Sequence, residues 1–112
     1  MNQRNALTEA TFYILLSVFR PLHGYGIMQN IKEITNGRVQ IGSGTLYGAL
    51  TLLIEKGFIK QYYDGDKKKY VITESGVSLV EAEVIRLSEL LKNGRKTLKE
   101  GVKCETKINK NK

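Results

Sequence analysis

The residues best suited to chemistry are hydroxyls and amines, not groups arranged for catalysis. Lys67, Lys68 and Lys69 stand in a row between aromatic and β-branched neighbours, and Ser43, Thr45, Tyr47 and Thr51 recur along one short segment, with Tyr25 upstream. Such hydroxyls can bond base edges or phosphate oxygens, and a threonine methyl can touch thymine. Adjacent lysines can neutralise phosphates; they equally suit a solvated strand edge that discourages aggregation. With one His (His23) and one Cys (Cys104), no zinc-site spacing exists. His23-Gly24-Tyr25-Gly26 is not a nucleotide loop, because no strand precedes it and the third glycine is missing. No nucleophile–base pair is visible. The expectation is a protein that is not an enzyme, with no catalytic residues, metal or cofactor.

The element that must carry the hydroxyls is Ser43 to Lys56. Leu46, Ala49, Leu50, Leu53 and Ile54 follow helical spacing and form one apolar stripe. Ser43 is expected to be the N-cap and Gly57 the left-handed C-terminal cap. The opposite face carries Gly44, Gly48, Thr51 and Glu55, flanked by Thr45, Tyr47 and Leu52. A helix with one buried side and a small, polar outer side suits a DNA major groove. An ordinary surface helix fits this stretch equally well.

Before it, a first helix is expected from about Thr8 to Phe19, with Phe12, Leu15, Leu16 and Phe19 as its stripe, ended by Arg20-Pro21. A second runs from His23-Gly24-Tyr25-Gly26 to Asn36-Gly37 and buries Ile27, Ile31 and Ile34. His23 reads as a capping residue, and Tyr25 as a packing or phosphate-contacting one. Arg38-Val39-Gln40-Ile41 alternates like a short strand. Two helices joined briefly, the second short, make a helix-turn-helix.

Residues 58–72 read as a hairpin around Asp64-Gly65-Asp66, with Ile59, Tyr63, Tyr70 and Ile72 facing inward. Following a groove-shaped helix, this hairpin is a wing whose lysines reach phosphate. Thr73 caps a last helix in which Val77, Val80, Val84, Leu87 and Leu91 form a heptad seam continued by Leu98. The seam is expected to pair two copies in a homodimer; the alternative is a helix folded back on the first three. Gly94 falls in the seam phase. From Lys99 onward no periodicity is sustained, and a basic, disordered tail is expected. The fold class is thus mainly α with a small β-hairpin: a winged helix-turn-helix over residues 1–72, a dimerisation helix over 73–98 and a tail over 99–112.

Charge supports a polyanionic partner. The 112 residues carry a net charge of +7, of which residues 1–72 hold +4, residues 73–91 hold −3 and residues 92–112 hold +6. No apolar run spans a bilayer and the first ten residues lack a signal-peptide core. A lone cysteine fits a reducing compartment. The location expected is the cytoplasm, without a membrane partner.

Leu7-Thr8-Glu9-Ala10, Leu22-His23-Gly24-Tyr25-Gly26-Ile27, Gly44-Thr45-Leu46-Tyr47-Gly48-Ala49-Leu50, Glu55-Lys56-Gly57-Phe58-Ile59 and Ile72-Thr73-Glu74-Ser75-Gly76 together resemble the PadR-like transcriptional regulators. The resemblance covers about residues 5–92. It implies a winged helix-turn-helix with a C-terminal dimerisation helix, and a dimer that binds a pseudo-palindromic double-stranded DNA operator, usually as a repressor. Family DNA contacts map onto Tyr25, Ser43, Thr45, Tyr47, Lys67, Lys68 and Lys69. Thr51 and Leu52 stand where many relatives carry basic residues, and Thr51 is kept among the DNA-facing positions. The chain resembles the short C-terminal subgroup. It has no Trp, so the tryptophan drug pocket of some members does not carry over, and an unidentified small-molecule effector is left open. The alternative function is a winged-helix interaction adaptor without specific DNA binding.

Overall fold

A computed structural model describes the backbone of residues 6–111 and the side chains of residues 6–102. The opening residues, Cys104 and the charges of the basic tail beyond Val102 lie outside the described side chains. The elements run α1 (Glu9–Ser17), β1 (Leu22–His23), α2 (Gly24–Ile34), α3 (Ser43–Glu55), β2 (Ile59–Asp64), β3 (Lys67–Ile72) and α4 (Glu74–Asn111). The chain divides into two units, Met1–Glu81 and Ala82–Lys112.

In the first unit, three helices and a small sheet enclose one core. Ile14, Leu15 and Val18 meet Ile27 and Ile31 of α2, Leu46, Leu50 and Leu53 of α3, Ile59 and Tyr70 of the sheet, and Val80 of α4. Each fully buried aliphatic side chain contributes about 1.5–3 kcal/mol. A polar pin crosses this core: Asn30 Nδ2 donates to Ser17 Oγ at 2.9 Å, and Ser17 Oγ donates to the Tyr13 carbonyl at 2.8 Å. The buried hydroxyl is satisfied, and α1 is tied to α2. The apolar stripes reach less far than the sequence suggests. Phe19 and Ile34, expected inside, are each 50% exposed, because both lie at helix ends past the last core layer.

Helix ends follow local chemistry. Thr8 caps α1, its side chain accepting the Thr11 N–H at 3.1 Å. Thr73 does the same for α4 through the Gly76 N–H at 3.1 Å. At the end of α3 the Gly57 N–H reaches the Ile54 carbonyl at 3.0 Å and the Phe58 N–H reaches that of Leu53 at 2.9 Å, with Gly57 at φ +82. That is a Schellman motif. The end of α2 repeats it, with Asn36 at φ 52 and Gly37 at φ +80 both left-handed. Ser43 does not cap α3: the N-cap is Gly42, one residue earlier, without a side-chain bond.

The sheet has the order β1-β3-β2, all antiparallel. The strand added to the hairpin, β1 (Leu22–His23), pairs with Tyr70 and Lys69, so a short strand does precede Gly24, where the sequence analysis expected none; it forms only through this distant partner. Arg38–Ile41 is not a strand. It pairs with no strand among the described residues, and the segment is held instead by the Val39 N–H bond to Thr35 Oγ1 at 3.1 Å and by the Arg38–Glu9 ion pair at 2.5 Å. The hairpin loop is Gly65-Asp66, with Gly65 at φ +69, where a II′ turn takes glycine. Tyr63, expected inward, is 67% exposed near this tip.

The start of α4 locks onto the end of α3. The Gly57 carbonyl accepts from Thr73 Oγ1 at 2.6 Å and from Ser75 Oγ at 2.9 Å, and the Phe58 carbonyl accepts from the Thr73 N–H at 3.0 Å. Gly76 lies so close that a Cβ there would strike the Phe58 carbonyl oxygen. The second unit is the continuing helix. Its backbone remains helical through Asn111, past Lys99, where the sequence analysis placed a tail; Lys and Glu, frequent there, are good helix formers. Arg86 chelates Glu83 with Nε and Nη2.

Gly76→Ala is expected to cost about 1–3 kcal/mol, the range for overpacking against an unyielding neighbour. Chemical denaturation measures it; an unchanged midpoint would remove the Gly76–Phe58 contact from the account of the fold.

Candidate nucleic-acid interface

The outer face of α3 is nearly bare. Among the described residues, nothing lies within 4 Å of where a Cβ on Gly44 or Gly48 would be. Four residues apart, they open one smooth strip along the helix. Thr45 and Leu52 flank it on one side, and Leu52 turns into an apolar recess with Leu7, Leu53, Phe58 and Leu79. Tyr47 and Thr51 flank it on the other, where they line a cleft of about 270 Å³ with Glu55, Gln61, Lys68 and Tyr70. Thr51 Oγ1 donates to the Tyr47 carbonyl at 2.9 Å, so its proton is used within the helix. Ser43 and Thr45 are exposed in the first turn. Burial pushes the Tyr70 phenol above its ordinary pKa, and nearby Tyr47 and Tyr63 add to this.

Tyr47 joins the two sequence motifs. Its hydroxyl sits against Gly24, where any Cβ would collide with it. Gly24 of His-Gly-Tyr-Gly and Tyr47 of Gly-Thr-Leu-Tyr are therefore two halves of one contact, which sets the start of α2 against the first turns of α3. Beside it, Tyr25 is 61% exposed, stacks near His23 at 6.5 Å between ring centroids, and accepts a bond from Gln29 Nε2 at 3.0 Å. The Tyr25 hydroxyl keeps its own proton to donate. His23 occupies the N-cap of α2 but makes no side-chain capping bond.

Capping thus divides the helices. Threonine side chains close the N-termini of α1 and α4, whereas α2 and α3 begin at His23 and Gly42 with no side-chain cap. First-turn N–H groups left so, at the positive end of the helix dipole, favour an anion.

The three wing lysines are not equivalent. The register sets Lys67 opposite Asp64, Lys68 opposite Tyr63 and Lys69 opposite Tyr62. Side chains alternate along a strand. Lys68 therefore shares the cleft face with Gln61 and Tyr70, while Lys67 and Lys69 lie on the other face. Lys68 Nζ lies 5.7 Å from the Tyr63 ring centroid, and Lys69 Nζ is 3.2 Å from Asp64 Oδ2. Gln61 was missed by the sequence reading, and Glu55 was placed on the outer face of the helix but not among the DNA-facing residues; counting outward from a two-residue Gly65-Asp66 loop pairs Gln61 with Tyr70.

Of the seam residues, Val77 is half-buried and Val80, at 5% exposure, belongs to its own core and is not open to a partner. In the second unit Val84, Leu87 and Leu91 are exposed. Among the described residues no acidic, His or Cys group could hold a metal ion, and no helix is long and apolar enough to cross a membrane.

Residues 13–82 match the model of the transcriptional regulator PadR-like family. An uncharacterized protein X from Lysinibacillus sphaericus is 40% identical over 75 residues, covering 62% of this chain and 62% of that one. The chain spans 20% and 62% of the length of the curated relatives it matches. A PadR family transcription regulator from Clostridium difficile superposes with a TM-score of 0.73 at 22% identity, over 81% of this chain and 99% of that one, a likeness of fold. Bacillus subtilis PadR in complex with operator DNA superposes with a TM-score of 0.58 at 28% identity, over 69% of this chain and 47% of that one.

The Gly24–Tyr47 contact is open to a double-mutant cycle. Gly24→Ala should cost about 1–2 kcal/mol in urea unfolding alone and close to nothing in a Tyr47→Ala background. Additive losses would show that the two residues do not touch.

Proposed function

The chain belongs to the transcriptional regulator PadR-like family, a family of regulators and not of enzymes, and from that premise we propose that it is a homodimeric, sequence-specific DNA-binding repressor. The observation that carries the reading is the bare strip of Gly44 and Gly48. Each glycine costs a helix about 1 kcal/mol relative to alanine. Among the described residues nothing lies within 4 Å of where either Cβ would be. A groove edge coming close to the helix backbone would use that room. The likeness to Bacillus subtilis PadR in complex with operator DNA supports the same conclusion.

In this reading α3 enters the major groove. Ser43 and Thr45 meet base edges from its first turn, while Tyr47 and Thr51 line the side nearest the wing. Tyr25 donates to a phosphate at the uncapped start of α2. Lys67, Lys68 and Lys69 neutralise phosphates, with Lys68 leading because it faces the cleft. α3 carries no positive charge of its own, so it supplies fit while the wing supplies charge. Two copies joined through Val84, Leu87 and Leu91, next to Val77 and Val80, would set two such helices on a pseudo-palindromic operator.

Selection of bound genomic fragments followed by gel shift tests the proposal; absence of retardation at low salt would favour the adaptor reading. Changing Lys67, Lys68 and Lys69 together to Ala should weaken binding to every sequence and flatten the salt dependence by up to about 0.9 in slope per lost contact. An unaltered slope would sink the wing assignment. Gly48→Ala should act with opposite signs: unfolding stability rises by about 1 kcal/mol, while operator affinity falls tenfold or more. A variant that is more stable and binds as well as the parent would remove the strip from the interface.

A further inference from the structure

We propose that the apolar recess between the start of α1, the end of α3 and the start of α4 is a binding site for a small amphiphile with an aliphatic body and a carboxylate head. It rests on the DNA-binding reading above only for its consequence, that the occupant acts as an effector. The recess measures about 350 Å³. Small-molecule sites run from about 300 to 1,000 Å³ and are mostly apolar, with a few placed polar groups. Leu7, Leu52, Leu53, Phe58 and Leu79 supply the apolar wall, and all belong to the first unit. Leu52 is 56% exposed, so folding leaves apolar surface uncovered on this side of α3. Removing that surface from water is favourable, and a ligand with an aliphatic body of its own does so.

The polar side of the lining sets the class of the head group. Among the described residues that line the recess, Lys56 is the one that carries a charge, and none is acidic. The Lys56 ammonium has no hydrogen-bond or ion-pair partner among the described residues. Thr11 Oγ1 accepts from Thr8 Oγ1 at 2.9 Å and keeps its own proton to donate. A cation and a hydroxyl proton suit a group that only accepts, as an ionised carboxylate does. Spacing along α3 orders the parts. Ala49, Leu52, Leu53 and Lys56 all line the recess, and their helical spacing keeps them on one face over about 10 Å. The apolar positions come first and the cation last. The ligand therefore lies along α3 with its head at Lys56 and its tail toward Ala49. Because α3 supplies so much of the lining, occupancy is coupled to the position of that helix.

Isothermal titration of the full chain with decanoate, octanoate and decanol, each below the concentration at which it self-associates, tests the site without DNA. Decanoate should saturate one site per chain and bind about tenfold tighter than octanoate, which lacks two of its CH2 groups. Lys56→Gln should weaken decanoate at least tenfold and leave decanol unchanged, whereas Ala49→Leu, which fills the recess, should weaken both. No saturable binding of decanoate, as when a second copy covers the recess, would overturn the proposal. Binding that neither substitution alters would place the ligand elsewhere and overturn it too. Lys56 is exposed, so its variant carries the test should Ala49→Leu fail to fold. In the gel shift, saturating decanoate should change operator affinity at least threefold. Equal affinity with and without it would remove the effector role and leave the site standing. Absence of any DNA complex would overturn the DNA-binding reading, and with it the effector role, while the titration still decides the site.

Discussion

The Gly57 carbonyl, shared by the hydroxyls of Thr73 and Ser75, is the joint on which the rest of the first unit turns. A helix ends with carbonyls that have no partner inside the helix. Here the chain leaves α3 through a left-handed glycine, runs out and back as the hairpin, and returns so that the cap of the next helix satisfies the end of the previous one. The Ile72 N–H bond to the Val18 carbonyl at 2.8 Å adds the end of α1 to the same place. Three elements and the base of the wing are held by a few backbone groups. Side-chain variation on the outer faces leaves these bonds intact, which is why a reading surface can change on this scaffold without loss of fold.

The second fixed point is the fit of Tyr47 over Gly24. It explains why two short motifs that are each common are informative together: one supplies a surface without a side chain and the other the ring that covers it. The joint at Gly57 sets where α3 ends, and the Tyr47 contact sets where it begins relative to α2. Between them the helix has little freedom to roll, and its bare glycine strip keeps one direction.

Much of this was legible because it is local. Thr8, Thr73 and Gly57 act as caps through bonds to residues within three or four positions, and the hairpin announces itself through Gly65 between two β-rich arms. What was not legible depends on distant partners. Leu22–His23 has no strand pattern and becomes a strand only beside Tyr70 and Lys69. Arg38–Ile41 has the pattern and no partner. Periodicity along α4 marked Val80 and Val84 alike, since a seam cannot distinguish a chain's own core from another chain's surface. The unequal surroundings of Lys67, Lys68 and Lys69 follow from strand register, which a run of identical letters conceals. Of the residues read from the motifs, Tyr47, Thr51 and Lys68 share one cleft, whereas Thr45 lies across the glycine strip and Lys67 and Lys69 face the other side of the wing.

His23 belongs to two elements at once, as the residue before the first turn of α2 and as the strand partner of Lys69. The wing and the start of α2 therefore form a single caliper of fixed gauge. In the DNA complex proposed above, such a caliper would resist following the duplex by bending its own arm. A mismatch in backbone spacing would then fall on the DNA, at an energy that depends on its sequence. Part of the selectivity would then be exercised at base pairs that no side chain touches.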